Sequence, residues 1–490
     1  MLLKPNQIFC NGFGSSSLAV NKMHDKIIYP TIDLFLYDLK DGLGQDETKV
    51  DQNCQQFCKK IYGDLDEKSF QEKYTQVQKL QNTDAEAIEL LETRIREFQS
   101  PLDGYYYPLQ FDDTYALQVN YSGKLDANGQ PNDDSQDIDD EPFLKLKQEI
   151  VQHISQQTGT IGQTWILWGK LATDKTDAEI EEIAQDCYTQ VVNNYSWSRD
   201  FIGKGSLLGG TVFELWYRPE NMGLTGKEFW EKFRQESHHV LIWLFPYNQT
   251  PDHMRKQVQK VSYDLLRLWQ YRHKIVWAYY QSRYQKSILK REYIEIQPSI
   301  NQARHLPRQL ETNSLKLNQL QETLTKNLIN LADYTTALNA LDNQNRTTQV
   351  NMGNYQARLA DMTKKYTGSD LKFLKLFSDG EIYAQKYQRQ IEADHASLSP
   401  GLTLLQNLNS TVQGIIDLEQ TKSDRALDNT IAIAGVGLAI SGLTATVATA
   451  HDPPPKSYTD LSFLLSPAFV LSLAFSAPFL IALLVRLFRR

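Results

Sequence analysis

The sequence predicts an α/β cytosolic domain, then a long helical coiled-coil stalk, then a C-terminal two-helix transmembrane hairpin. Three observations carry this reading. Runs with strand-like alternation are interleaved with helical patterns over residues 1–251. Leu310, Leu317, Leu324, Leu331 and Leu338 recur at seven-residue spacing. Two uncharged runs, residues 430–450 and 461–485, close the chain, and each has the ~20 residues that a helix needs to cross a bilayer. The division expected is therefore 1–251, 252–429 and 430–490.

The strand candidates of the first part are residues 32–39 (IDLFLYDL), 115–125 (YALQVNYSGKL), 164–171 (TWILWGKL), 211–217 (TVFELWY) and 240–245 (VLIWLF). Helical patterns lie at 83–99, 142–157, 177–193 and 225–237. The first opens on Thr83 with Glu86 three residues on, the spacing of a capping box, and the third opens on Asp177 as N-cap. Residues 126–141 carry seven acidic side chains and no basic one. A solvated loop accounts for them. Asp133, Asp134, Asp137, Asp139 and Asp140 also offer the hard oxygen ligands of a weak Mg²⁺ or other divalent-cation site.

Composition and motifs exclude several functions. The formal net charge of −8 argues against a general nucleic-acid binder, so no nucleic-acid partner is expected. The four cysteines, Cys10, Cys54, Cys58 and Cys187, are too few for a disulfide framework. Cys54 and Cys58 stand one helical turn apart, but no histidine or second cysteine pair completes a metal site. Gly203-Lys204-Gly205-Ser206 lacks the spacing of a phosphate loop, and no nucleophile elbow or His-Glu-x-x-His occurs, so no enzyme is indicated. His238 and His239 are adjacent, point apart and read as structural. The chain opens without an apolar run of signal-peptide length.

From residue 251 the chain becomes helical. Residues 261–291 interleave seven tyrosines and tryptophans with arginine and lysine, the pattern of a helix packed on a sheet with its basic stems snorkelling. The heptad continues from Leu310 to Tyr366. Thr367-Gly368-Ser369-Asp370 ends that helix, a second runs over 370–396, and Ser-Leu-Ser-Pro-Gly at 397–401 is expected to turn the chain into a third. The third has no stop before residue 430, which predicts one helix running from the stalk into the first span.

Thr430, Ala434, Gly437, Ser441, Thr444, Ala448 and His451 follow a 4-3-4-3 spacing and share a face. Such a stripe suits close helix packing or the lining of a pore. Lys422 and Arg425 precede the first span, and Arg486, Arg489 and Arg490 follow the second. The lipid bilayer is thus an expected partner, with two spans and both termini cytoplasmic.

This order of parts resembles the CorA-type divalent-cation transporter superfamily. The resemblance rests on the helix at 310–366, the helix-plus-span at 402–450 and the terminal Arg486-Leu-Phe-Arg-Arg. It implies a homo-oligomer, a pentameric funnel whose first spans line an ion-conducting pore gated by cation binding to the cytosolic domain. The Gly-Met-Asn of that family occurs nowhere in this chain, so no selectivity-filter residue is carried over. The expectation is a CorA-like, signal-gated ion channel; the alternative is a membrane-anchored scaffold or sensor without transport activity.

Overall fold

A computed structural model describes residues 26–81, 85–125, 141–220, 226–311, 317–379 and 382–424. In chain order its elements are β1 (Ile27–Leu39), α1 (Glu47–Tyr62), α2 (Glu67–Leu80), β2 (Ile88–Glu89), β3 (Arg96–Glu97), β4 (Leu102–Phe111), β5 (Thr114–Lys124), α3 (Pro142–His153), β6 (Gly162–Leu171), α4 (Asp177–Val191), α5 (Trp197–Asp200), β7 (Phe201–Leu207), β8 (Gly210–Tyr217), α6 (Gly226–Glu236), β9 (His238–Phe245), α7 (Pro251–Glu295), α8 (Gln297–Glu311), α9 (Leu317–Lys365), α10 (Lys372–Asp379) and α11 (Ala384–Asp424).

The strands form one sheet in the order β2-β4-β5-β1-β6-β9-β8-β7, with β3 also on β4. Only β6 and β9 pair in parallel; the other ladders are antiparallel. Period-two alternation gives the sheet two covered faces. Ile32, Leu34 and Leu36 of β1, with Leu117 and Val119 of β5, join α1 to α4 in one core. Phe35 and Tyr37, with Ala116, Ile166 and Trp243, join α7, α9 and α10 in another. The aromatic run on α7 is therefore sheet-facing, as its spacing predicts: Trp269 and Leu266 are fully buried there.

The helix starts follow local chemistry. Asp46 and Asp66 accept from the first-turn amides of α1 and α2, and Thr250 does so ahead of Pro251. At α4 the cap is Thr176, one residue before the Asp177 expected; Thr176 and Glu179 form the full capping box.

Three local expectations are corrected. Residues 85–97 hold β2, β3 and turns where a helix is expected, because their backbone pairs with the edge of β4. β4 itself escapes the sequence reading: its Pro108 marks it as a poor interior strand, yet it pairs opposite Leu117 while its carbonyl accepts from Leu90. The turn expected at 397–401 is absent, since α11 runs on through Pro400. The Tyr334 hydroxyl donates to the Leu398 carbonyl at 2.7 Å, and its ring occupies the space that a Cβ on Gly401 would need.

α7, α9 and α11 pack along one another as a long antiparallel bundle. Asp264 of α7 accepts from Arg358 and Lys365 of α9 at 3.1 and 2.8 Å, and from the Tyr366 hydroxyl. Asp394 of α11 pairs with Arg283 and Lys286 of α7. Further from the sheet, Leu289, Ile296, Tyr334, Leu341, Leu405 and Ile415 form a third core shared by α7, α9 and α11.

The main correction concerns the membrane. Among the described residues no helix is long and apolar enough to cross one. The longest helices mix polar residues into their buried faces: α7 buries Arg267, Arg272 and Lys274, and α9 buries Asn327, Asn330 and Gln344. The fold class supported is an α/β sheet domain with long helices, and the transmembrane hairpin is not shown among the described residues. The two-span, multi-pass placement with both termini cytoplasmic has no support in this fold. Residues 430–450 and 461–485, which carried that expectation, lie outside the described residues.

Candidate functional site

One sheet face changes character partway along. On β5 the residues facing α7 run Ala116, Gln118, Asn120 and Ser122; on β1 they run Tyr37, Phe35, Asp33 and Thr31. The apolar ends pack under α7. The polar end of β5 borders a cavity of about 460 Å³, within the range of small-molecule sites. Its far wall is the start of α7, with Arg255, Val258, Gln259, Ser262 and Tyr263. Thr93, Arg94 and Ile95, from the turn between β2 and β3, close one side.

The floor, lined by Gln118, Asn120 and Trp168, rests on a buried carboxylate. Asp33 sits opposite Asn120 in the β1–β5 ladder. One of its oxygens accepts from Gln118 Nε2 and Asn120 Nδ2, each at 2.9 Å; the other accepts from Trp168 Nε1 at 2.6 Å. Burial pushes this carboxyl above its ordinary range, and the three donors pull the other way.

The rim carries two arginines. Arg255 pairs with Asp103 at 3.0 Å, and Arg94 with Glu89 at 3.1 Å. The Arg94 guanidinium lies over the Tyr107 ring, 5.3 Å from its centroid. Its backbone adopts φ +66°, a left-handed conformation that costs a non-glycine residue about 1 kcal/mol. The segment is clamped to α7 by Glu86 and Arg267, 2.7 Å apart, and Arg267 in turn stacks over Phe111. No histidine or cysteine lines the cavity among the described residues.

A second polar cluster lies deeper on the same face. Glu214 meets His239 Nε2 at 3.0 Å, His239 Nδ1 meets the Thr164 hydroxyl at 2.8 Å, and Thr164 meets His273 Nε2 at 2.7 Å. The connectivity is that of a nucleophile–base–acid triad. The group is nevertheless enclosed, and the void beside His273 measures about 20 Å³, room for about one water. No substrate reaches Thr164, so the cluster is structural. Burial and the nearby Arg272 charge hold His239 neutral, and burial raises Glu214 to about 7.

The residues singled out from sequence lie elsewhere. Thr430, Ala434, Gly437, Ser441, Thr444, Ala448 and His451 lie outside the described residues, as do Asp133, Asp134, Asp137, Asp139 and Asp140. Among the described residues no group of three or more potential ligands could hold a metal. Gly203-Lys204-Gly205-Ser206 forms β7, where Gly205 lets Asp370 and Phe373 of the α10 segment approach: a Cβ there would stand 2.3 Å from both. His239 is buried in the cluster above, while His238, on the other face, stacks on Tyr217. Sequence reasoning passed over Asp33, Gln118 and Asn120. Their signal was polarity at alternate positions inside two strands otherwise rich in apolar residues.

No family model, curated protein or solved structure matches the chain. None of these comparisons bears on the resemblance to CorA-type transporters.

Proposed function

We propose that this chain is a small-molecule-responsive regulatory protein, a sensor in which the cavity over Asp33 receives the signal and the α7–α9–α11 bundle carries it away. The observation that supports this reading is the position of α7. Arg255, Gln259 and Tyr263 line the cavity, and Asp264, the next residue, anchors α9 through Arg358, Lys365 and Tyr366. A ligand that shifts the first turns of α7 acts directly on that anchor. Coupling of this kind requires differential affinity for two arrangements of the same helices.

Thermal-shift screening of the full chain against amino acids, nucleotides, sugars and polyamines tests the proposal. A ligand at 100 times its Kd stabilises by about 2.7 kcal/mol. The expected result is a ligand whose shift disappears in Asp33→Asn, with hydrogen exchange altered along α9. Absence of any shift that depends on Asp33, or a shift with no change on α9, sinks the sensor reading. The pore lining expected from residues 430–451 and the pentameric self-association implied by the CorA-type resemblance form no part of this proposal.

A further inference from the structure

Building on the sensor reading, we infer that the cavity takes a ligand with a planar, N–H-donating head and an anionic tail. The floor fixes the head. Because Asp33 accepts from the amide nitrogens of Gln118 and Asn120, both amides are held with their NH₂ ends toward the carboxylate. Their carbonyl oxygens are the ends left over, and neither accepts from a described residue. The two residues stand two apart on β5, about 7 Å along the strand. Both are at least nine-tenths buried, at 3% and 8% exposure, so their acceptors act where water competes least. The nitrogens of the floor are engaged: Gln118 Nε2 serves Asp33 and the Tyr105 oxygen, and Asn120 Nδ2 and Trp168 Nε1 serve Asp33. An occupant that meets these two carbonyl oxygens must therefore bring donors. Tyr105 and Trp168 add aromatic walls beside it, which favour a planar group.

The rim fixes the tail. Arg255 and Arg94 are each held by one carboxylate in a partly exposed pair. Pairs of that kind contribute about 0–1 kcal/mol, so a ligand anion can take over a guanidinium at little cost. Guanidinium also suits bidentate binding of carboxylate or phosphate. Two sources share this chemistry: a guanidinium-bearing amino acid, and an aminopurine nucleotide.

Isothermal titration calorimetry of the full chain separates them. The probes are L-arginine and AMP. Each has a partner lacking the donor head, L-norleucine and the 6-unsubstituted purine nucleotide, with glucose as a neutral control. The expected result is binding of L-arginine or AMP, weakened at least tenfold by removal of the head donors and at least tenfold in Arg94→Gln or Arg255→Gln. Both substitutions are at the surface, and melting curves matching the parent show that each variant is folded. Failure of both probes to bind, or binding indifferent to both arginines, overturns the assignment. Glucose binding that depends on Asp33 also overturns it while leaving the sensor reading intact. If no ligand of any class depends on Asp33, both fall.

Discussion

Glu214 is a carboxyl group enclosed between His239 and Arg272, whose Nε lies 3.8 Å away. With its folded pKa raised to about 7, the folded state holds a proton that the unfolded chain releases near pH 4.5. Its contribution to stability is therefore present below about pH 4.5 and is lost as pH rises through 7. His239 and His273 act in the opposite sense: both are held far below 6.5, so their contribution is present above 6.5 and is lost on acidification. In Glu214→Gln only the histidine effect remains. Urea titrations between pH 4.5 and 6.5 are expected to show stability falling more steeply on acidification in this variant than in the parent; equal slopes would mean that Glu214 does not titrate in this window. Beneath the cavity floor, Asp33→Ala leaves Asn120 Nδ2 and Trp168 Nε1 without an acceptor and Gln118 Nε2 with only the Tyr105 oxygen. The expected cost is about 3 kcal/mol, measured by chemical denaturation, with Asp33→Asn costing less because it preserves shape.

At the scale of elements, contacts between helices and sheet rest on a few residues. Gly205 permits α10 to lie against β7, and Gly205→Val drives a side chain into the Asp370 carbonyl and the Phe373 ring. Overpacking of this kind costs about 3 kcal/mol and is expected to expose the Trp216–Phe377 contact, seen as a change in tryptophan fluorescence. The α9–α11 seam holds a different tension. Asn327 and Asn409 are buried, and neither their amide nitrogens nor their oxygens have partners. Their positions fit a seam in which polar residues set register at the expense of stability. Asn327→Leu is expected to raise stability by about 1 kcal/mol. A lower melting temperature for that variant would show that the amide is satisfied in solution.

Among the described residues there are three hydrophobic cores, one on each face of the sheet and one far along the bundle. The distal core is the smallest and contains the unpartnered amides. Native-state hydrogen exchange is expected to show its helices opening at lower free energy than β1, β6 and β9, which are buried on both faces. Uniform protection across sheet and bundle would contradict this. A ligand in the cavity would raise protection first in the opening turns of α7, then in the stretch of α9 held by Asp264.

Local chemistry in the sequence determined much of the architecture. Alternation located β1, β5, β6, β8 and β9 to within a few residues, because successive side chains of a strand point to opposite faces of the sheet. The aromatic run on α7 and the heptad from Leu317 onward identified the long helices by their helical spacing, whereas Leu310, where the heptad was expected to begin, falls on α8. What the sequence could not decide was pairing. Residues 85–97 have helical spacing but take their hydrogen bonds from β4, and β4 holds a proline that only its particular neighbours accommodate. Pro400 reads as a stop, yet α11 continues because Tyr334 meets its backbone from another helix. The cavity is likewise a product of tertiary structure. Asp33 and Asn120 are 87 residues apart, and only the β1–β5 register places them opposite one another, where a carboxylate can orient two amides beneath the first turns of α7.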